Sequence, residues 1–222
     1  GRSFLQGKLH PEQVFEDFSK IHEFYRDLIW SFQEDRKGNL WIGTLNHGVA
    51  KFDGKTLQTF TTSHGLISNS VRCIIEDHNG YLWFGTYTGV SKFSPAGGYS
   101  DKKGGVYSVK ERDLKQSFEN FNIAQGLTNH NIRSLLEDNN GNIWIGTDGG
   151  GVAKFSGRYF EQFSFEHGRD ENIVFSINED KYGNILIGTD GAGIYKLTYN
   201  NKFAENRFQA MTAFGRSFEG IV

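Results

Sequence analysis

Four copies of one short pattern set the terms on which this chain can fold. Trp41, Trp83, Trp144 and Leu186 occupy one position, spaced 42, 61 and 42 residues apart. Around it Glu-Asp recurs at Glu34-Asp35, Glu76-Asp77, Glu137-Asp138 and Glu179-Asp180. A turn glycine follows at Gly38, Gly80, Gly141 and Gly183, then Gly-Thr at Gly43-Thr44, Gly85-Thr86, Gly146-Thr147 and Gly188-Thr189. A second glycine and a lysine close each unit: Gly48 and Lys51, Gly89 and Lys92, Gly151 and Lys154, Gly193 and Lys196. A repeat of roughly 40 to 45 residues made of short strands has the period of a β-propeller blade. The expected architecture is an all-β propeller segment with four complete four-stranded blades and partial blades at both ends.

Each unit offers four strands. In the third they are Ile132 to Glu137, Asn142 to Gly146, Val152 to Phe155 and Tyr159 to Ser164, short apolar or alternating runs bounded by Gly, Asn and Asp. The blades divide as 27–67, 68–128, 129–170 and 171–212, with 1–26 ending a preceding blade and 213–222 starting a further one. Phe15 and Phe18 precede Trp41 by the interval that separates Phe160 and Phe163 from Leu186, and Phe208 to Val222 aligns without a gap on Phe160 to Val174. Gly220-Ile221-Val222 would then begin another first strand, so a longer array is expected. The second unit carries an insertion at 94–117 that adds 20 residues. It reads as a solvated loop with a small hairpin at Gly105 to Lys110, or as an arm that docks a partner.

The turns Asp-Arg-Lys-Gly, Asp-His-Asn-Gly, Asp-Asn-Asn-Gly and Asp-Lys-Tyr-Gly place a carboxylate and a glycine where a hairpin needs a cap and a positive φ. They lack the alternating ligands and terminal bidentate Glu of a calcium loop, and no metal or other cofactor is expected. Cys73 stands where the other units have Ser31, Ser134 and Ser176, and reads as core filler with a reactive thiol as the alternative. His64 and His167, with Gln125 between them, mark equivalent turn positions. The tryptophans could form a sugar-stacking ladder, but an equivalent ring in every blade more simply fills the space between sheets.

A formal charge of −2 gives no global basic field, which disfavours nucleic acid or an anionic membrane as a bulk partner. No apolar run approaches the roughly 18 residues of a membrane span, and no charged-then-apolar leader follows Gly1. There is no GxSxG, HExxH, GxxxxGK or cysteine pair. The protein is therefore expected to be non-catalytic.

Positions that stay fixed between units hold the blade; positions that vary are free to be specialised. One residue before the small residue of strand one, the chain changes from Trp30 to Arg72, Arg133 and Phe175. In a propeller the first strand lines the central channel, and the loops joining strands two to three and four to one share a face. That face adds Asn69, His130 and Asn172, and Asn46, His47, Tyr87, Thr88, Asp148 and Asp190 from the loops after Gly-Thr. Aromatic planes beside carboxylates, amides and Arg forks suit a sugar or acidic sugar. The competing reading makes them ordinary polar loop tips, with Trp30 and Phe175 in the core. A propeller lyase or hydrolase would need His47 or His130 as acid or base.

Written as SLLEDNNGNIWIGTDGGGVAKFSG and CIIEDHNGYLWFGTYTGVSKF, the units resemble the two-component regulator propeller family from Phe15 to Val222. The resemblance implies a periplasmic or otherwise extracytoplasmic sensor part of a bacterial hybrid histidine kinase, responding to a small-molecule or oligosaccharide ligand and coupled to a signalling domain outside this segment. A homodimer is compatible with it. The alternative is a protein-interaction scaffold. Leu186 and the insertion depart from the family pattern.

Overall fold

The computed structural model describes residues 27–94, 117–165 and 172–198, together with the backbone of strands 207–211 and 217–219. The expectations for 1–26, for the hairpin at 105–110, for His167 and for 220–222 lie outside the described residues.

Four antiparallel meanders follow one another. The first sheet is β1 (Ile29–Glu34), β2 (Leu40–Thr44), β3 (Val49–Phe52) and β4 (Leu57–Phe60). The second is β5 (Val71–Glu76), β6 (Leu82–Thr86), β7 (Val90–Phe93) and β8 (Phe118–Phe121). The third is β9 (Ile132–Glu137), β10 (Ile143–Thr147), β11 (Val152–Phe155) and β12 (Phe160–Phe163). The fourth is β13 (Val174–Glu179), β14 (Ile185–Thr189), β15 (Ile194–Thr198) and β16 (Arg207–Met211), with β17 (Ser217–Glu219) as a fifth strand on the outer edge. In the third unit the second and fourth strands begin one residue later than the sequence pattern suggests. First strands touch their successors (β1 with β5, β5 with β9, β9 with β13), so the sheets fan out from an inner arc of first strands. The insertion leaves and rejoins the second sheet at one point, where Ser94 N–H donates to the Ser117 carbonyl at 3.0 Å. A loop whose ends already meet adds little strain to the blade.

The repeated Asp is the hub of each unit. Asp138 Oδ1 accepts the backbone N–H groups of Asn140 and Asn142 at 3.0 and 2.8 Å, and Oδ2 accepts Trp144 Nε1 at 2.8 Å. Asp35 and Asp77 repeat this with Trp41 and Trp83, at 2.9 and 2.8 Å. Gly38, Gly80, Gly141 and Gly183 close the turn at φ +82°, +80°, +78° and +82°. Both carboxylate oxygens are thus occupied by turn and indole donors, which accounts for the motif as a cap. In the fourth unit Leu186 removes the indole. Lys196 Nζ then stands 3.6 Å from Asp180 Oδ2, whereas its counterparts Lys51, Lys92 and Lys154 lie over the tryptophan rings at 5.7, 5.2 and 5.7 Å from the centroid.

Gly-Thr has a steric cause and a hydrogen-bonding one. Gly43, Gly85, Gly146 and Gly188 pair across the ladder with Ser31, Cys73, Ser134 and Ser176. A Cβ on any of them would collide with the partner's Oγ or Sγ, and at Gly43, Gly85 and Gly146 also with Val71, Ile132 or Val174 of the next blade. Cys73 is filler in this sense, and burial pushes its thiol up to about 12. The threonine hydroxyl donates to the carbonyl of the second glycine, at 2.9, 2.8, 2.9 and 3.1 Å in the four units, and so pins the turn after strand two.

The core lies between blades. Trp41, Val49 and Phe60 pack with Val71, Ile74, Leu82, Phe84 and Phe93 of the second blade. Trp83, Val90 and Phe121 pack with Ile132, Leu135, Ile143, Ile145 and Phe155 of the third, and Trp144 and Val152 with Val174, Ile185, Ile187 and Leu197 of the fourth. Strand two is apolar at adjacent positions because both its faces are covered. Trp41, Trp83 and Trp144 are at most 1% exposed and each stacks on the last Phe of its own blade, at 5.5, 5.9 and 5.6 Å. A sugar cannot reach them, so they are inter-sheet filler and no ladder.

In the second, third and fourth units the Glu before the hub Asp ties blade to blade. Glu76 Oε2 accepts Arg36 N–H at 2.7 Å, Glu137 Oε2 accepts His78 N–H at 2.8 Å, and Glu179 Oε2 accepts Asn139 N–H at 2.8 Å. Strands β5, β9 and β13 therefore each hold the turn of the blade before them. His78 Nδ1 adds a short contact to Glu137 Oε1. Among the described residues nothing covers the same surface of the first sheet: Phe32 is 63% exposed, while its counterparts Ile74 and Leu135 are buried.

Candidate functional site

Trp30, Arg72, Arg133 and Phe175 share a backbone peculiarity as well as a column. Ladder pairing between strands one and two skips a residue between Ile29 and Ser31, Val71 and Cys73, and Val174 and Ser176. In the third unit the partner strand shows the shift between Gly146 and Thr147, opposite Ser134 and Ile132. Each of the four variable residues is thus the extra residue of a β-bulge, which bends the strand and re-aims one side chain. The bulge separates the variable side chain from the packing of its neighbours, and so frees that position to change.

The bulges bring these side chains into one row across the four blades. The Arg72 guanidinium lies 4.4 Å from the Trp30 ring centroid and 5.5 Å from that of Tyr87. Arg72 Nη1 donates to Asn131 Oδ1 at 2.9 Å, Asn131 Nδ2 donates to Asp148 Oδ2 at 2.6 Å, and Arg133 Nη2 donates to the same oxygen at 2.9 Å. The Arg133 guanidinium in turn lies 4.7 Å from the Phe175 centroid. Trp30, Tyr87 and Phe175 are 41%, 50% and 49% exposed, so their ring faces and edges reach solvent while the cations between them are half-buried. Burial lowers the Arg72 pKa from its usual value; the nearby Arg133 charge adds to that and Asp148 opposes it.

The remaining expected residues divide into loop anchors and free tips. Asn46 and His47 are bound to Asp27, whose side chain is 1% exposed: Oδ2 accepts Asn46 N–H at 2.8 Å and contacts His47 Nδ1 at 2.7 Å, and Oδ1 accepts Asn46 Nδ2 at 3.1 Å. Burial pushes the Asp27 carboxyl up, but the bonds from His47, Asn46, Leu28 and Thr44 outweigh it and hold the group at about 2. Asn69 Oδ1 accepts Thr62 N–H at 2.9 Å, and Asn172 exchanges two bonds with the Phe165 backbone. Both tie the connection between blades. His130 and Asp190 are exposed and make no hydrogen bond to the row; Thr88 Oγ1 bonds the Ile67 carbonyl at 3.2 Å. His64 Nδ1 accepts Thr61 N–H at 3.0 Å, and Gln125 Oε1 does the same for Asn122, which accounts for that position as turn chemistry.

Two residues escaped the sequence reading. Asn131 bridges the two halves of the row, and Asp27 anchors the first loop. Asp27 stands in the column of Asn69, His130 and Asn172, and that column was the available signal.

Acid should expose the depressed carboxylates. Asp27 and Asp180 sit at about 2 and Asp35 below its usual value. For Asp35 burial raises the carboxyl, and the Trp41 and Asn39 bonds more than reverse this. Such groups contribute stability that is fully present above the unfolded carboxylate pKa of ~3.9 and is lost as pH falls through the folded value. Melting temperature is expected to be level above about pH 5 and to fall between about pH 4 and pH 2. A melting temperature unchanged across that window would contradict the assignment.

By fold the chain is a β-propeller segment. Residues 26–46, 65–88 and 126–149 match the repeat of the two component regulator propeller family. Among solved structures the chain is similar to the extracellular domain of a putative hybrid two component system from B. thetaiotaomicron, with 25% identity over 82% of this chain and 28% of that one, at a TM-score of 0.44. It is also similar to a streptogramin B lyase structure, with 14% identity over 86% and 68% of the two chains at a TM-score of 0.53. A virginiamycin B lyase from Staphylococcus aureus gives 14% identity over 86% and 69% at 0.51. The two lyases share the fold alone. The chain spans just over a quarter of the first of these relatives. No curated protein sequence matches it. Among the described residues no helix is long and apolar enough to cross a membrane.

Proposed function

We propose that this segment is the ligand-sensing part of a signal-transduction protein, lying outside the cytoplasm, that recognises an oligosaccharide at the inner rim and passes the binding signal to a domain outside the segment. The observation that carries the reading is the row itself. The repeated residues are consumed by blade packing, whereas the bulged column presents half-exposed aromatic rings and hydrogen-bonding forks from all four blades. Rings of that kind stack on the apolar faces of sugars while amides and guanidinium groups meet hydroxyls. The two component regulator propeller repeat supports a regulatory role. The uncovered apolar face around Phe32 supports the further expectation that another blade of the same kind packs against the first sheet.

Calorimetric titration with a panel of oligosaccharides tests the reading. Trp30→Ala and Tyr87→Ala are each expected to weaken binding about 3- to 10-fold, the scale of one lost aromatic contact, with melting temperature unchanged. Full affinity in both variants would remove the row from the binding site.

A further inference from the structure

The two guanidinium groups of the row are not equivalent. Arg133 has a carboxylate, since Nη2 donates to Asp148 Oδ2 at 2.9 Å. That oxygen also takes Asn131 Nδ2 at 2.6 Å. Arg72 meets only the neutral amide oxygen of Asn131, through Nη1. No carboxylate lies within ion-pair distance of Arg72 among the described residues; the Nε atoms of both arginines are enclosed without a hydrogen-bond partner, so the two differ in the carboxylate and not in Nε. The row therefore holds two fixed cations and one fixed anion, the unpaired cation standing between two half-exposed rings.

A half-buried cation without a counter-charge is costly, and stacking on aromatic faces offsets only part of that cost. A ligand that brings its own anion would recover the rest. A guanidinium meets a planar carboxylate or the oxygens of a sulfate ester through parallel N–H donors, which a hydroxyl cannot match. Arg72 keeps donors for such a group, because Nη2 donates to no described residue and Nη1 uses only one of its two N–H groups on Asn131. Asn131, itself held by Asp148, fixes Nη1, so the guanidinium is positioned before the ligand arrives.

We propose, resting on the saccharide-sensing reading above, that Arg72 seats an anionic oxygen group of the ligand between the walls of Trp30 and Tyr87, so that the site selects acidic over neutral saccharides. Arg133, neutralised by Asp148, serves hydroxyls and the Phe175 platform instead.

The test titrates the protein with three probes: neutral xylo-oligosaccharides, oligogalacturonides that carry carboxylates without sulfate, and carrageenan oligosaccharides that carry sulfate esters without carboxylate. An acidic probe is expected to bind about 10- to 100-fold more tightly than the neutral one, the worth of a charge-assisted pair, and Arg72→Gln should abolish that advantage. The two acidic arms show whether the anion is a carboxylate or a sulfate. Arg72→Lys keeps the charge and removes the fork, and is expected to fall between; it also serves if Arg72→Gln lowers the melting temperature. Neutral and acidic probes binding equally, with Arg72→Gln without effect, would overturn the charge selection and leave saccharide sensing standing. Binding of none of the three would sink both.

Discussion

Replacing Trp83 with alanine is expected to cost about 3–5 kcal/mol, the range for removing a buried aromatic side chain. The ring is 1% exposed, stacks on Phe121 at 5.9 Å, and touches Phe155 of the following blade at 5.8 Å. It also gives its indole N–H to Asp77 at 2.8 Å. Truncation therefore opens a cavity between two sheets and removes a bond to a carboxylate in one step. The fourth blade indicates that leucine should be milder, because there Leu186 fills part of the volume and Lys196 turns to the hub carboxylate. Chemical denaturation of Trp83→Ala and Trp83→Leu would check both. A loss below about 1 kcal/mol for the alanine variant would show that the inter-blade core does not depend on the ring.

Asp138→Ala is expected to cost at least about 3 kcal/mol, since it removes charge-assisted bonds and strands the Trp144 indole N–H in the core. Trp144 is 0% exposed, so water cannot replace the lost acceptor. The turn suffers too, because Asn140 and Asn142 N–H lose Oδ1. The same substitution at Asp180 should do clearly less, since Leu186 has no donor to strand and Lys196 can return to solvent. Denaturation of the two variants side by side separates the contributions. Equal losses would show that the turn bonds alone, and not the indole bond, set the energy of the hub.

The blades were legible in the sequence because they rest on local chemistry repeated four times. Asp-x-x-Gly, Trp and Gly-Thr each solve one problem within a few residues of themselves, and their spacing sufficed to place the strands within a residue. The candidate site was legible only as a column of differences. Trp30, Arg72, Arg133 and Phe175 stood out by varying, but the reason they can vary is a skipped ladder pair, a property of two strands together that no single stretch displays. Asn46, His47, Asn69 and Asn172 looked like rim residues for the same polar character that makes them good loop anchors, and only their partners tell the two apart. Asn131 was missed because its column, Leu28, Ser70 and Ile173, has no common chemistry; its role comes from lying between Arg72 and Asp148.

The carboxylates of Glu76, Glu137 and Glu179 all reach backwards along the chain. The array consequently has a polarity that its repeated sheets do not suggest. A blade removed on the carboxyl-terminal side takes an acceptor with it and unties its predecessor's turn, whose N–H passes to water. A blade removed on the amino-terminal side leaves only an acidic side chain that water can solvate. Shortening the array from the carboxyl-terminal side therefore unties the turn of the blade that remains at that end, whereas shortening it from the amino-terminal side leaves every remaining turn tied to its successor.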